Sequence, residues 1–357
     1  MAHQAASGGE QRLDTLDAMR GLAAIVVMLW HADIVDRDSV HGYLAVDFFF
    51  LLSGFVIART YEARLGPGGL TAMGFLRARL LRLYPMYAVG LILGLAVATM
   101  GLLLGTDRAP SLVELANRAT FGLFVLPAPG EDLLMPLNIP TWSLFMELAV
   151  NIAFCLVMFR ARSSVLALVA LLFGSLMIVG ASIYGHVDWG ATADTVVGGL
   201  IRVTYGFTLG VLMWRLGGKD VGRTSVLSIL PCLLLLLALL TSSTGRPAMI
   251  HTIVLVAAGF PALLAAGGRW SPPAALQPAC RWLGNLSYPL YVIHVPLLAV
   301  RNFALQAGLP RELVIPCFVA GLIITAWALG AWLDPYLRRG LTRLTLPKAR
   351  YSSPSPA

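Results

Sequence analysis

Ten apolar runs, separated by short polar or charged segments, recur along the chain. Each run approaches the roughly 20 residues that an α-helix needs to cross a bilayer. The runs lie at about 17–35, 43–60, 83–105, 140–159, 163–183, 193–215, 224–241, 249–267, 285–304 and 312–334. A shorter apolar stretch, 111–127, contains Glu114, Asn117 and Arg118, so we interpret it as a re-entrant or interfacial helix in a long loop. The pattern predicts an all-α polytopic membrane bundle of about ten transmembrane helices.

Composition and charge support this prediction. Of the 357 residues, 58% are hydrophobic and only 12% are charged, whereas a soluble protein carries about 25% charged residues. The net charge of +8 does not indicate nucleic-acid binding, because the basic residues form short clusters between apolar runs, where they orient membrane helices. If the N-terminus is cytoplasmic, most Lys and Arg face the cytoplasm. We therefore expect a multi-pass membrane protein with both termini in the cytoplasm.

The predicted domain organisation is simple. We expect a disordered cytoplasmic tail over residues 1–12, one transmembrane domain over 13–340 and a cytoplasmic C-terminal tail over 341–357. The four cysteines are far apart and lack the spacing of metal ligands. No metal site is predicted.

An arginine and a histidine share one face of the first apolar run. Arg20 and His31 are eleven residues apart, which is about three turns plus 20° of an α-helix and about 16 Å along its axis. One position offers a fixed positive charge and the other a titratable base. A long substrate with an anionic head and a reactive tail fits such a face. The alternative for His31 is an interfacial histidine that donates a hydrogen bond to a carbonyl.

Asp47 opens the second run at a depth similar to that of His31. It is a candidate to orient or charge-stabilise His31, as a carboxylate does in hydrolytic triads. The alternative is a carboxylate that is favoured at this position by the dipole at the N-terminus of its own helix.

Three arginines precede the third run. Arg79 and Arg82 are three residues apart and share a helical face, and paired guanidinium groups suit a bidentate grip on phosphate. Arg77 belongs to the same cluster. The alternative is that the three charges only set the membrane topology.

Two further charges lie within apolar runs, where they are costly and default to functional hypotheses. Glu147 follows Trp142 by five residues in the fourth run, and Arg202 lies near the middle of the sixth. Glu147 is expected to face the bundle interior and to pair with His31, Arg202 or a substrate hydroxyl. The alternative is a structural Glu147–Arg202 ion pair. Trp142 is a further candidate for the same pocket.

The ninth run opens with hydrogen-bonding side chains. Asn285, Ser287 and Tyr288 lie at its cytoplasmic boundary, and His294 lies deeper. All four are pocket candidates, although a satisfied interior histidine is an equally good interpretation of His294.

Taken together, five motifs resemble those of the membrane-bound acyltransferase-3 family over residues 17–335. They are Arg-x10-His, Val-Asp-x-Phe-Phe-x-x-Ser-Gly-Phe, Arg-x-x-Arg-x-x-Pro, Trp-Ser-Leu-x-x-Glu and Asn-x-Ser-Tyr-x-x-Tyr-x-x-His. The resemblance implies transfer of an acyl group, commonly acetyl from acetyl-coenzyme A, to a carbohydrate or similar hydroxyl-bearing acceptor. It also implies that Arg20 and His31 form the hallmark pair, that Arg79 and Arg82 bind the donor, and that Arg202 matches an arginine before Phe-x-x-Gly. The chain departs from the family pattern at Ala18-Met19, where Gly-Leu or Gly-Ile is common.

The resemblance and the residues lead to one functional hypothesis. Arg79 and Arg82, with Arg20, hold the phosphates of cytoplasmic acyl-coenzyme A, while His31 acts as general base on the acceptor hydroxyl and Asp47 or Glu147 holds its imidazole. An acyl-histidine intermediate is the mechanistic alternative. No cofactor is expected to be bound permanently. The expected partners are acyl-coenzyme A, membrane lipid, and a glycan, exopolysaccharide or other hydroxyl-bearing acceptor.

A second hypothesis comes from another class of protein. A polytopic transporter or exporter would use Arg202, Glu147 and His294 as intramembrane substrate or proton sites. The lack of an internal repeat in the sequence speaks against it.

Overall fold

The structure is a computed structural model that describes residues 12–36, 40–106, 109–217 and 222–345. Within these residues nearly all regular structure is helical. The α-helices are α1 (Asp14–His31), α2 (Ala45–Tyr61), α3 (Ala72–Leu103), α4 (Leu112–Leu123), α5 (Trp142–Leu156), α6 (Ser163–Tyr184), α7 (Val196–Gly217), α8 (Ile229–Leu240), α9 (Gly245–Val254), α10 (Phe260–Arg269), α11 (Gln277–Gln306), α12 (Arg311–Ala328) and α13 (Asp334–Thr345). Two short strands, β1 (Arg223–Thr224) and β2 (Trp270–Ser271), pair in parallel.

The helices confirm an all-α, multi-pass membrane protein. In the described part of the chain, eight helical segments are long and apolar enough to cross a membrane. They are Gly42–Arg64, Ala72–Leu103, Ile139–Leu156, Ser163–Tyr184, Val196–Gly217, Gly245–Arg269, Gln277–Gln306 and Arg311–Arg343. The two other predicted spans coincide with α1, whose first turns carry three charged residues, and with the shorter apolar helix at Val226–Leu240. The number ten and the orientation of the termini stay predictions.

Helix α1 lies inside the bundle, and α11 runs parallel to it. Arg20 contacts Ser287 near one end of the pair, and Ala32 accepts a hydrogen bond from Arg301 at the other. The two backbones approach closely at Gly21, where a Cβ atom would collide with the carbonyl group of Leu283. Small residues at such crossings let membrane helices pack through their backbones. We use the terms Arg20 end and His31 end for the two ends of the bundle.

Helices α2 and α7 form a second parallel pair. A Cβ atom at Gly54 would overlap the carbonyl oxygen of Phe207, which shows how closely the two backbones approach. Near the His31 end, Asp47 of α2 forms an ion pair with Arg202 of α7. Close packing and a shared ion pair therefore fix α2 in register with α7.

Helix α4 occupies the stretch predicted to be re-entrant or interfacial. Its 12 residues extend about 18 Å at 1.5 Å per residue, which is too short to cross a bilayer. A capping box closes its N-terminus, because Ser111 and Glu114 satisfy each other's backbone N–H groups. Tyr87 of α3 donates a hydrogen bond to the carbonyl of Gly122, which attaches the other end of α4 to the bundle.

The last apolar helix does not stop where its apolar run ends. A π-helical turn, Leu329–Leu333, joins α12 to α13, and α13 packs against α3 at the Arg20 end. Helix α13 also continues beyond residue 340, where we predicted the start of the C-terminal tail. The terminal segments 1–11 and 346–357, which hold most of both predicted tails, lie outside the described residues.

Candidate active site

A cavity of about 620 Å³ extends into the bundle from the Arg20 end. Its size is within the 300–1,000 Å³ that is usual for ligand pockets. Its walls come from α1, α2, α3, α5, α11, the π-helical turn and α13. On α2 the lining runs from Val46 to Ile57, which is about 16 Å along that helix. The cavity is thus long enough for an extended substrate arm.

Arg79 and Glu147 form the buried polar centre of the cavity wall. Nη2 of Arg79 lies 2.6 Å from Oε1 of Glu147, and the same oxygen accepts a hydrogen bond of 2.7 Å from the Ser53 hydroxyl. No described residue accepts a hydrogen bond from Nε of Arg79, although this atom is buried. Glu147 therefore anchors Arg79 while the guanidinium keeps a donor for a further acceptor.

Arg20 is held at the cavity wall by helix α11. Its Nε donates a hydrogen bond of 2.9 Å to the Ser287 hydroxyl, and its Nη2 donates one of 2.9 Å to the carbonyl of Gly284. The carboxylate of Asp17 lies 3.0 Å from the same Nη2. Ser287, a predicted pocket residue, thus orients the guanidinium group of Arg20.

Arg82 also lines the cavity, whereas Arg77 does not. Arg82 forms no ion pair with any residue in the described ranges, so its charge is not neutralised by direct contact with a carboxylate there. Arg77 and Arg79 are two residues apart, which is about 200° around α3. Arg77 therefore lies on the opposite face of the helix from Arg79 and outside the cavity lining, which speaks against its predicted place in the donor site.

The structure adds two charged cavity residues that the sequence interpretation missed. Asp334 and Arg338, one turn apart on α13, both line the cavity and form an ion pair, with 2.8 Å between Nε and Oδ1. The signal in the sequence was an Asp and an Arg four residues apart directly after the last apolar run. From the charge pattern alone, such an arginine is expected only to set the membrane topology.

Polar and aromatic residues close the cavity at its deep end. The hydroxyl groups of Ser143 and Tyr291 lie 2.7 Å apart, and Tyr291 donates a hydrogen bond of 2.9 Å to the carbonyl of Pro140. The Tyr291 ring meets that of Phe49 edge-on at 5.8 Å. Val46 and Leu144 complete this end, so the cavity changes from cationic to mainly apolar with depth.

His31 lies beyond this closed end, next to His294. Nε2 of His294 is 3.2 Å from Nδ1 of His31, and the ring of His294 is 5.9 Å from that of Tyr291. Arg20 and His31 both contact α11, so they share a face of α1 as their spacing predicts. Only Arg20 lines the cavity, however. In the described part of the chain the cavity therefore does not continue from Arg20 to His31, because Tyr291 and Phe49 intervene.

The hydrogen bonds determine which nitrogen of each imidazole carries the proton. Nδ1 of His294 lies 3.1 Å from the carbonyl of Leu290, an acceptor only, so we infer that this nitrogen is protonated and that Nε2 is an acceptor. Nδ1 of His31 lies between two acceptors, that Nε2 atom and the carbonyl of Val27 at 3.0 Å. With both rings neutral we therefore assign the proton to this nitrogen, which leaves the lone pair of His31 on Nε2.

The predicted carboxylate partners of His31 are bound elsewhere. Asp47 is gripped by both Nε and Nη2 of Arg202, at 3.0 and 2.7 Å, and Glu147 pairs with Arg79. The prediction that Asp47 or Glu147 holds the imidazole is therefore wrong, and so is a Glu147–Arg202 pair. The physical reason is the packing of α2 on α7 and of α3 near α5, which brings a guanidinium to each carboxylate.

Arg202 and Trp142 lie together outside the cavity lining. The guanidinium of Arg202 stacks 5.4 Å from the Trp142 ring and donates a hydrogen bond of 2.6 Å to the carbonyl of Trp189. Both were predicted to be pocket residues. In the structure they are part of a buried network with Asp47, so Arg202, Glu147 and His294 each have different partners.

The remaining pocket candidates sit at the predicted boundary of the cavity. Asn285 is exposed and lines the cavity near Arg20. Tyr288 also lines it, and its hydroxyl donates a hydrogen bond of 2.6 Å to the carbonyl of Leu83, which connects α11 to α3.

Comparison with known proteins assigns the chain to a family. Residues 13–331 match the family described as "Acyltransferase domain" (Acyl_transf_3). The protein named "Protein 2 in picA locus" from Rhizobium radiobacter is 42% identical over 152 residues, which are 40% of this chain and 80% of that protein. No solved structure matches the chain significantly. This multi-pass membrane protein belongs to the acyltransferase-3 family.

Proposed function

We propose that the protein transfers an acyl group, with acetyl as the first choice, from acyl-coenzyme A to a hydroxyl group of a carbohydrate or similar acceptor. The proposal places it in the bacterial inner membrane with the Arg20 end in the cytoplasm, because the positive-inside pattern favours that orientation. Donor binding then begins from the compartment in which coenzyme A occurs.

One observation carries this proposal: three predicted donor residues, Arg20, Arg79 and Arg82, face a single elongated cavity. With Arg338 there are four arginines and two carboxylates, Glu147 and Asp334, in its lining. An excess of guanidinium groups suits the diphosphate and ribose phosphate of coenzyme A. The apolar deep end suits the narrow arm that carries the thioester.

The proposed reaction at the His31 end is general-base catalysis. Nε2 of His31 takes the proton of the acceptor hydroxyl while the hydroxyl oxygen attacks the thioester carbonyl carbon. The carbon–sulfur bond then breaks. The imidazolium returns its proton to the thiolate, so the products are an oxygen ester and free coenzyme A. His294 holds the other imidazole nitrogen through the hydrogen bond of 3.2 Å.

The closed deep end of the cavity imposes one condition on this mechanism. The thioester reaches His31 only if the side chains at the Ser143–Tyr291 contact rearrange, because Tyr291 lies between the cavity and the histidine pair. Rotation of one aromatic side chain is a small movement compared with the domain motions that gate many enzymes. The proposed reaction therefore includes a local opening step.

A labelling experiment tests the proposal and works whichever hydroxyl compound is the acceptor. Membranes from cells that normally make this protein, with its gene deleted, are supplied with wild-type protein or with the His31→Gln variant and incubated with radiolabelled acetyl-coenzyme A. We expect alkali-labile label in the membrane or glycan fraction only with wild-type protein, together with release of free coenzyme A. Absence of wild-type-dependent label, or equal label with both proteins, would falsify the proposal.

A further inference from the structure

We propose that Arg338 binds the ribose 3′-phosphate of the acyl donor and so makes the protein selective for 3′-phosphorylated coenzyme A. The inference rests on the proposed function, because it assigns a ligand group within the same cavity. It concerns a residue outside the donor motifs of the first and third apolar runs.

The local structure explains why Arg338 faces the cavity. The π-helical turn at Leu329–Leu333 inserts an extra residue into the helical repeat and changes the face that α13 presents. Gly330 in this turn sits against the carbonyl oxygen of Asn285 on α11, 3.1 Å from where a Cβ atom would lie. Asp334 and Arg338, one turn apart, then both reach the cavity lining. The turn thus makes α13 a wall of the site.

The depth order of the arginines matches the order of the phosphates along coenzyme A. The side chain of Arg79 is 5% exposed, that of Arg20 is 27% exposed and that of Arg338 is 36% exposed. In coenzyme A the arm with the thioester leaves one side of the diphosphate, and the ribose with its 3′-phosphate lies on the other. If the arm points to the deep apolar end, the diphosphate lies beside the deeper arginines. The 3′-phosphate then lies nearest the mouth, where Arg338 lines the cavity together with the exposed Arg82.

The ion pair with Asp334 positions Arg338 without using all of its donors. Nε donates to Oδ1 of Asp334, and Nη2 lies 2.6 Å from Oδ2. No described residue accepts a hydrogen bond from Nη1 of Arg338. A guanidinium has five N–H groups in a planar fork, so a carboxylate on one edge leaves the other edge for a phosphate.

A binding measurement on the purified full-length protein in nanodiscs of zwitterionic lipid tests the inference. The probes are coenzyme A and 3′-dephospho-coenzyme A, which differ only in the 3′-phosphate. We expect the wild type to bind coenzyme A about tenfold more tightly, as one charge-assisted contact allows. In Arg338→Gln this preference should disappear, with the affinity for 3′-dephospho-coenzyme A unchanged. Arg338→Lys should keep part of it.

Arg339 supplies the matched control. It is the next residue on α13, it is exposed, and its Nε donates to the carbonyl of Pro335 rather than lining the cavity. Arg339→Gln removes one positive charge from the same helix. This variant should keep the wild-type preference for coenzyme A over 3′-dephospho-coenzyme A.

Every other outcome of the binding measurement contradicts either this inference or the proposed function. Equal affinity of the wild type for both probes, or a preference that survives Arg338→Gln, overturns the inference, as does an equal loss for both probes in that variant. The last result would show that Arg338 acts on the diphosphate, on a lipid phosphate or on folding. A wild type that binds neither probe would instead overturn the proposed donor, and hence the proposed function.

Discussion

Nε2 of His294 lies 3.2 Å from Nδ1 of His31, so two histidines 263 residues apart share one hydrogen bond. His294 is fully buried and is itself held by the carbonyl of Leu290. The proton on Nδ1 of His31 therefore has a fixed place, and the basic lone pair is on Nε2. A histidine, rather than the carboxylate of hydrolytic triads, orients the proposed base.

We predict that His294 is a positioning residue for catalysis. His294→Leu keeps the buried volume but removes the acceptor for Nδ1 of His31, and kcat should fall about 10- to 100-fold, as for other residues that orient a functional group. The donor KM should not change, because His294 does not line the cavity. His294→Gln offers a carbonyl acceptor and should recover part of kcat. Equal loss in both variants, or a change in KM alone, would contradict a positioning role.

His31 itself should be needed for chemistry and not for donor binding. In His31→Gln, kcat should fall by about 10²- to 10⁴-fold, the usual contribution of a general base. The affinity for coenzyme A, measured by calorimetry on the same preparation, should stay at the wild-type value because His31 is separated from the cavity by Tyr291. Weaker coenzyme A binding in this variant would show that donor and base share one compartment.

The double variant Arg79→Ala/Arg82→Ala should raise the donor KM with little change in kcat. Each guanidinium contact with phosphate contributes about 1.5–3 kcal/mol, so loss of both should raise KM by at least about 100-fold. Steady-state kinetics with varied acetyl-coenzyme A measures this effect.

Arg77→Ala is the control for that experiment. Arg77 is in the same arginine cluster, but it lies on the opposite face of α3 and does not line the cavity. The donor KM of the Arg77→Ala variant should equal that of the wild type. An equal rise in KM for Arg77→Ala would mean that the cluster acts only through general surface charge.

Helical periodicity predicted more of the site correctly than did our assumptions about which charged residues form ion pairs. The shared face of Arg20 and His31, and that of Arg79 and Arg82, depends only on 3.6 residues per turn, and the structure has both. Grouping Arg77 with Arg79 was inconsistent with this periodicity, because side chains two residues apart on a helix point to opposite faces. The helical face on which a residue lies can thus be predicted from the sequence when the helical periodicity is applied consistently.

Partners distant in sequence were not predictable in this way. Asp47 and Arg202 are 155 residues apart, and Arg79 and Glu147 are 68 apart. Several charges lie at similar membrane depths, so hydropathy alone leaves the choice of partner open. Helix packing makes the choice, through contacts such as that of Gly54 with Phe207, which no charge pattern encodes.

Arg338 was missed for a different reason. Without the extra residue of the π-helical turn, α13 would present a different face to the cavity. Such a turn has no sequence signature comparable to a Pro or a capping residue. The end of the apolar run therefore indicated the end of the span but not the orientation of α13.

The Asp47–Arg202 pair should contribute to stability, and a double-mutant cycle can show it. Asp47→Leu leaves Arg202 as a buried charge without its carboxylate, which should lower the free energy of unfolding by about 3–5 kcal/mol. Arg202→Met should do the same to Asp47. The double variant replaces the pair with apolar groups and should recover much of the loss. Thermal unfolding of the purified variants measures the cycle, and strictly additive losses would contradict direct coupling.

Tyr291 should limit the length of the acyl group that passes from the cavity to His31, because its ring and hydroxyl close the deep end of the cavity beside Phe49 and Ser143. Tyr291→Ala removes that wall, so the ratio of kcat/KM for hexanoyl-coenzyme A to that for acetyl-coenzyme A should rise at least about tenfold, since one methylene in an apolar pocket is worth about 1–3 kcal/mol. Tyr291→Phe keeps the ring and loses only the hydrogen bonds to Pro140 and Ser143, so it should keep the wild-type ratio. If both variants gain on the longer donor, the hydroxyl network rather than the ring defines the limit. If neither does, the thioester reaches His31 by another route and does not pass through the closed end of the cavity.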